Sequence, residues 1–163
     1  MAGTAVPVRQ RVLAALSGVH LLVVGAIFGG MMVTGPILPQ VMFYKLGLEP
    51  LTAARYMGVI FQQLIVPLYL LAGGAVVLEA LRLALGERPH WAVAGVRYAA
   101  AGVVLAAVLI FGRHYIPAVQ AYQTRGADAL ASPAFHALHE GSRRVFAIGL
   151  LAAGVALVLV PRR

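Results

Sequence analysis

The sequence predicts an all-α integral membrane protein, a bundle of four transmembrane helices. Four uncharged apolar runs are flanked by arginines or other charged residues, and they cover residues 12–40, 56–78, 98–112 and 145–161. Hydrophobic residues make up 61% of the chain and charged residues only 11%, with a mean hydropathy of +0.89. So little polar surface cannot cover a water-soluble chain of this length. The loops are too short for a second core, so residues 1–163 are expected to form one transmembrane domain.

The boundaries of the four helices follow from length and from capping residues. A membrane-spanning helix needs about 20 apolar residues, and the two shorter runs reach this length when interfacial Trp91 and the flanking arginines are included. Ser132 followed by Pro133 is an N-cap and first-turn pair, so the last helix is expected to begin there. Pro36 and Pro39 lack amide protons, which predicts an irregular end of the first helix. We predict helices at about residues 12–40, 56–81, 91–116 and 133–160.

The charges predict a membrane location rather than a nucleic-acid partner. The net charge of +8 comes from 12 arginines and one lysine, most of them near the ends of the apolar runs. The expected partners are therefore the lipid bilayer and its anionic headgroups, with no nucleic acid. Lysines and arginines divide seven to six between the two faces, which favours cytoplasmic N- and C-termini. Glu79 and Arg82 are expected to form a surface ion pair, and Arg97 to extend to the interface.

His20 is the only ionisable residue in the first apolar run. An ionisable side chain in hydrocarbon is costly, so His20 is a candidate functional residue. Three interpretations are open. His20 is a neutral structural residue bonded to Ser17 or to a glutamine of the second helix, a haem or metal ligand, or a proton relay.

Three further histidines lie in or beside the connection between the third and fourth helices, at one membrane face: His114, His136 and His139. His136 and His139 are three residues apart on one helix face, a spacing at which neutral imidazoles can share a transition metal, with Glu140 or Asp128 completing the set. The alternative is that all three are interfacial side chains bonded to headgroups, loop backbone or each other.

The start of the last helix resembles a known membrane family. Residues 135–142 read F-H-A-L-H-E-G-S, which resembles the F-x-x-L-H-x-x-S signature of a small four-helix membrane family of unknown function that includes transmembrane protein 205. Residues 34–36, Phe43 and residues 114–117 are similar to that family as well, so the resemblance covers most of the chain. It implies a membrane protein without an assigned reaction, and in this sequence Arg143 and Arg144 depart from the small or polar residues expected after the serine. The family positions that it singles out are Pro36, Pro117, Leu138, His139 and Ser142.

A second resemblance is to the copper-resistance protein D and HemJ-type membrane families. Both place a histidine in an early helix, as this sequence does with His20. The resemblance implies haem binding and, for the HemJ-type proteins, protoporphyrinogen oxidation. The further histidine and lysine pattern of those proteins is not seen in this sequence.

The sequence contains no cysteine, no paired nucleophile and base, no phosphate-binding glycine loop and no H-E-x-x-H zinc helix. We therefore expect a non-enzymatic structural or stress-tolerance component of the membrane, in which His139 and Ser142 form a polar cluster that fixes the connection between the third and fourth helices. One alternative is a redox protein with haem or a transition metal at His20 or at the three histidines.

Another alternative is an oligomeric transporter. In that case Gln62 or Gln63, which lie near Pro67, should face a protein-lined cavity together with His20. The candidate protein partners are a second copy of the chain or another membrane protein.

Overall fold

Residues 7–160 are described by a computed structural model, and they form a bundle of four long helices. The helices are α1 (Val8–Lys45), α2 (Pro50–Ala84), α3 (Trp91–Gln123) and α4 (Pro133–Val158), each long and apolar enough to cross a membrane. A short helical turn, Ala127–Leu130, lies between α3 and α4. The part of the chain that the structure describes contains no strand. The prediction of an all-α, multi-pass membrane bundle is therefore confirmed.

The helices are arranged in a ring in chain order. Each helix packs against the next one, and α1 also packs against α4, which closes the bundle. Short connections make consecutive helices antiparallel. The α2–α3 connection consequently lies at the same end of the bundle as the start of α1.

The first three helices extend beyond their predicted boundaries because polar residues near their ends were expected to lie in connections, whereas α4 ends at Val158, before the predicted residue 160. α1 runs from Val8 to Lys45, and α2 begins at Pro50 rather than near residue 56. The carboxylate of Glu49 accepts hydrogen bonds from the first amides of α2, and a proline fits the first helical position. At the start of α4 the Ser132 hydroxyl accepts a hydrogen bond from the backbone amide of Phe135 at 3.2 Å, so the predicted cap is confirmed.

The prolines of α1 and α3 are accommodated by widening of the helix. α1 contains two π-helical segments, Val33–Ile37 and Val41–Lys45, and α3 contains one, Phe111–Tyr115. Pro36 lies within the first segment and Pro117 follows the third. In a π turn each carbonyl accepts a hydrogen bond from the amide five residues later. A proline there leaves unpaired the carbonyl five residues before it, instead of the carbonyl four residues before it. The predicted irregularity at the end of α1 is therefore a change of helix type, and the chain does not unwind.

Three phenylalanine rings fill the half of the bundle that contains the π segments. Phe61 of α2, Phe111 of α3 and Phe146 of α4 contact one another, with ring centroids 5.1 to 5.8 Å apart. Phe61 meets each of the other two rings edge to face, at 66 and 74°, and the rings of Phe111 and Phe146 are tilted by 60°. These rings join three helices in the apolar core.

α4 approaches both α1 and α3 closely at Gly149. A Cβ atom at this position would lie 2.9 Å from the Cβ of Ala107 and 3.1 Å from the Cε of Met31. The four-residue spacing of Gly25 and Gly29 in α1 also predicts a tight helix contact. That expectation is wrong, because a Cβ at Gly29 would meet nothing within 4 Å and one at Gly25 would meet only a leucine methyl at 3.9 Å.

We expect Gly149→Ala to lower the free energy of unfolding by about 1 to 3 kcal/mol, because the new methyl group overpacks the contact with α1 and α3. The control is Gly73→Ala in α2, where a Cβ would meet nothing within 4 Å. The control should be neutral or slightly stabilising. Unfolding in one detergent by heat or denaturant measures both, and equal losses would contradict the assigned contact.

Candidate functional site

Five ionisable side chains are buried together at the end of the bundle that carries the α2–α3 connection. They come from α1, α2, the connection itself and α3, and each is between 1% and 5% exposed. We call this group the charge network, and its members are His20, Glu79, Arg82, Glu87 and Arg97.

The local sequence brings the network together around a tight turn. Glu79 and Arg82 lie in the last two turns of α2. Gly86 then adopts a positive φ of 75°, a conformation that glycine adopts without strain. The turn leads Glu87 back to the helix end, where its amide donates to the carbonyl of Arg82 at 3.0 Å. Arg97 enters from the second turn of α3.

Each arginine binds a glutamate in a two-pronged arrangement. Arg82 donates from Nε and Nη2 to the two carboxylate oxygens of Glu87, at 2.8 and 3.0 Å. Arg97 donates from Nε to Glu79 at 2.9 Å, and its Nη2 binds the other oxygen of the same carboxylate. Arg97 Nη2 also contacts Glu87 at 3.4 Å. Paired hydrogen bonds of this kind are strong and directional. The Arg97–Glu79 pair therefore fixes α3 against α2, and the Arg82–Glu87 pair fixes the connection against the end of α2.

His20 connects α1 to these ion pairs. Its Nδ1 atom lies 3.1 Å from Nη1 of Arg82 and 3.4 Å from Oε1 of Glu79. The partners expected from the sequence were Ser17 or a glutamine of α2. Ser17 instead donates to the carbonyl of Leu13 in its own helix, at 2.9 Å. His20 therefore contacts partners other than those expected, and both of them, Arg82 and Glu79, are charged residues.

The network balances its charge internally. With both carboxylates ionised and His20 neutral, two positive and two negative groups leave no net charge. Burial alone raises the pKa of Glu87, which lies in the connection, but the hydrogen bonds and positive charges of Arg82 and Arg97 lower the pKa below its ordinary value. Balance matters because removing one member would leave an opposite charge buried without compensation.

Two predictions about these charges are wrong. Glu79 and Arg82 do not form a surface pair, and Arg97 does not extend to the interface, because all three are buried and bind other partners.

The start of α1 covers this end of the bundle. The guanidinium of Arg9 donates to the carbonyl oxygens of Leu85 and Gly86, which holds α1 over the α2–α3 connection.

The three histidines in or beside the α3–α4 connection do not come together. His114, His136 and His139 are all exposed. The His114 ring packs against Tyr115 with centroids 4.8 Å apart, and the His139 ring stacks on Phe135 at 5.8 Å. Within residues 7–160 no group of three or more histidine, aspartate or glutamate side chains could hold a metal ion. The structure therefore does not assemble these three histidines as one group of metal ligands.

The polar cluster predicted from His139 and Ser142 is also absent. The Ser142 hydroxyl is buried but donates to the backbone carbonyl of His139, at 2.7 Å within α4. The contact between the end of α3 and the start of α4 is apolar instead. The rings of Tyr122 and Phe135 lie 5.5 Å apart, and Tyr115 packs against Gly141.

Gln62 and Gln63 do not line a cavity with His20. Both side chains are exposed on the outer face of α2, as is Pro67. The cavity beside His20 is lined by other residues. The arrangement expected for a transport site is therefore not found around these glutamines.

Fold and site together define a multi-pass helical membrane protein with a charge network at one end of its core. Comparisons with protein-family models, with curated proteins and with solved structures find no match to this chain. The site is consequently interpreted from its own geometry.

We expect Glu79→Gln to lower the free energy of unfolding by about 3 to 5 kcal/mol, because it leaves Arg97 buried with an incomplete charge balance. The control is Glu140→Gln, which removes a carboxylate whose side chain is 50% exposed beside Arg143 and Arg144. The control should change stability by less than about 1 kcal/mol. Unfolding in lipid bicelles measures both variants, and a small effect of Glu79→Gln would show that the network does not hold the helices.

Proposed function

We propose that the protein is a non-enzymatic structural component of the membrane, whose four helices are held in one arrangement by the charge network. The observation that carries the proposal is the mutual pairing of the network side chains. Most of their hydrogen-bonding groups are directed at one another rather than at an open cleft. A group that must bind and release a substrate needs accessible surface, and these side chains have almost none.

The size of the adjoining cavity supports the same proposal. The cavity beside His20 and Arg97 has a volume of about 10 Å³, room for about one water molecule. A haem or a small organic substrate requires far more space, since ligand pockets typically enclose about 300 to 1,000 Å³. A haem bound through His20 would also have to displace the contact between its Nδ1 atom and Arg82, or approach the other ring nitrogen through packed helices.

The relationship to the family of transmembrane protein 205 is part of the proposal. Its support lies in the signature at the start of α4, where Phe135 contacts Tyr122, Leu138 is half-buried and Ser142 is buried. These three positions form the inward face of the helix. The signature is thus interpreted as a packing face that seats α4 against α3, and a role in stress tolerance would depend on the integrity of this bundle.

The proposal predicts that the protein purified without added cofactor is colourless, contains no stoichiometric metal and remains folded. Under the same conditions His20→Ala should lower the melting temperature more than His139→Ala, because only His20 contacts buried charges. Absorption spectroscopy, elemental analysis and circular dichroism make the measurements. A Soret band, or stoichiometric copper, zinc or iron that is lost in His20→Ala, would overturn the proposal in favour of a redox protein.

We further propose that both termini are cytoplasmic, which the small excess of lysine and arginine on that face supports. The chain contains no cysteine, so single-cysteine variants carry no background. Thr124→Cys in the α3–α4 connection should react with a membrane-impermeant maleimide that is added outside intact cells. His90→Cys in the α2–α3 connection should react only after the membrane is opened. The reverse pattern would invert the assignment.

A further inference from the structure

A small cavity lies in the core directly beside the charge network. His20, Glu79 and Arg97 form its polar wall, and apolar or small side chains from all four helices form the rest. Val104 of α3 and Ala153 of α4 are among them. The cavity therefore adjoins charged groups on one side and the dry interior of the bundle on the other.

The hydrogen bonds of Arg97 are incomplete at this position. A guanidinium has five N–H donors, and those on Nε and Nη2 bind the carboxylates of Glu79 and Glu87. Nη1 is buried and has no hydrogen-bond partner among residues 7–160. An unsatisfied donor on a buried charged group costs free energy and is rare in folded proteins.

We propose that this cavity binds one water molecule, which accepts a hydrogen bond from Nη1 of Arg97 and donates to the carboxylate of Glu79. The volume of about 10 Å³ suits one water molecule, and the polar wall supplies the two or more partners that a buried water needs. A bound anion would be repelled by the adjacent carboxylate of Glu79. The water completes the network, so that every buried donor of Arg97 has an acceptor.

The bundle contains a matched apolar cavity that serves as an internal control. It also has a volume of about 10 Å³, but it is lined only by apolar side chains, among them Met31, Leu68, Val108 and Phe146. Apolar cavities of this kind stay dry. Val104 and Val108 occupy successive turns of α3, are 3% and 2% exposed, and line the polar and the apolar cavity respectively.

The test is nuclear magnetic resonance of the full chain in lipid nanodiscs with methyl-labelled valine. We expect magnetisation transfer from water to the methyl groups of Val104 and none to those of Val108. Absence of the signal at Val104, or equal signals at both valines, would overturn the proposal.

A pair of variants separates bound water from exchangeable protons of Arg97 or His20. Val104→Leu fills the polar cavity and displaces the water, whereas Val108→Leu fills the apolar one. The melting temperature of Val104→Leu should fall about 4 °C or more below that of Val108→Leu, because Nη1 of Arg97 loses its acceptor. Transfer to the methyl groups of the new leucine at position 104, or equal melting temperatures, would show that no water is held there.

Discussion

Charge pairing in a medium that cannot solvate charge is the constraint on which this structure depends. Two arginines and two glutamates are buried at one end of an apolar bundle, and they remain ionised at acceptable cost only while each faces an opposite charge. The surrounding features serve this requirement. Gly86 reverses the chain so that Glu87 reaches Arg82, and the early start of α1 lets Arg9 cover the connection. His20 adds a third helix to an otherwise two-helix arrangement.

The opposite half of the bundle is held by close apolar packing rather than by ion pairs. The π segments of α1 and α3 lie there, together with the three phenylalanine rings. Gly35 lies within the first π segment, and a Cβ on it would come within 2.5 Å of the Phe146 ring. The widened helix and the missing side chain thus allow backbone and ring to touch. Proline and glycine here allow the helices to pack closely. The irregular helical segments therefore do not open a channel through the core.

The fold could be predicted from the sequence because it depends on the length of apolar runs and on local capping signals such as Ser132 and Pro133. The charge network could not be predicted with the same tools. Glu79 and Arg82 have the spacing of a helical ion pair, but tertiary packing gives each of them another partner. His20 was identified because an ionisable side chain inside an apolar run is energetically costly. Its partners, Arg82 and Glu79, were not predicted. Residues 79–97 contain three arginines and two glutamates, and only the structure shows that Arg88 is exposed while the other four are buried as a balanced set.

The chain positions of the network suggest an order of assembly during insertion. Its four charged residues all belong to the hairpin of α2 and α3, and their ion pairs join residues only 5, 10 and 18 positions apart. His20 lies 62 positions from Arg82. The four charges can therefore pair with one another across a short connection, without waiting for distant segments, and together they carry no net charge. His20 is the long-range part of the network, because its contact with Arg82 can form only when α1 packs against the hairpin.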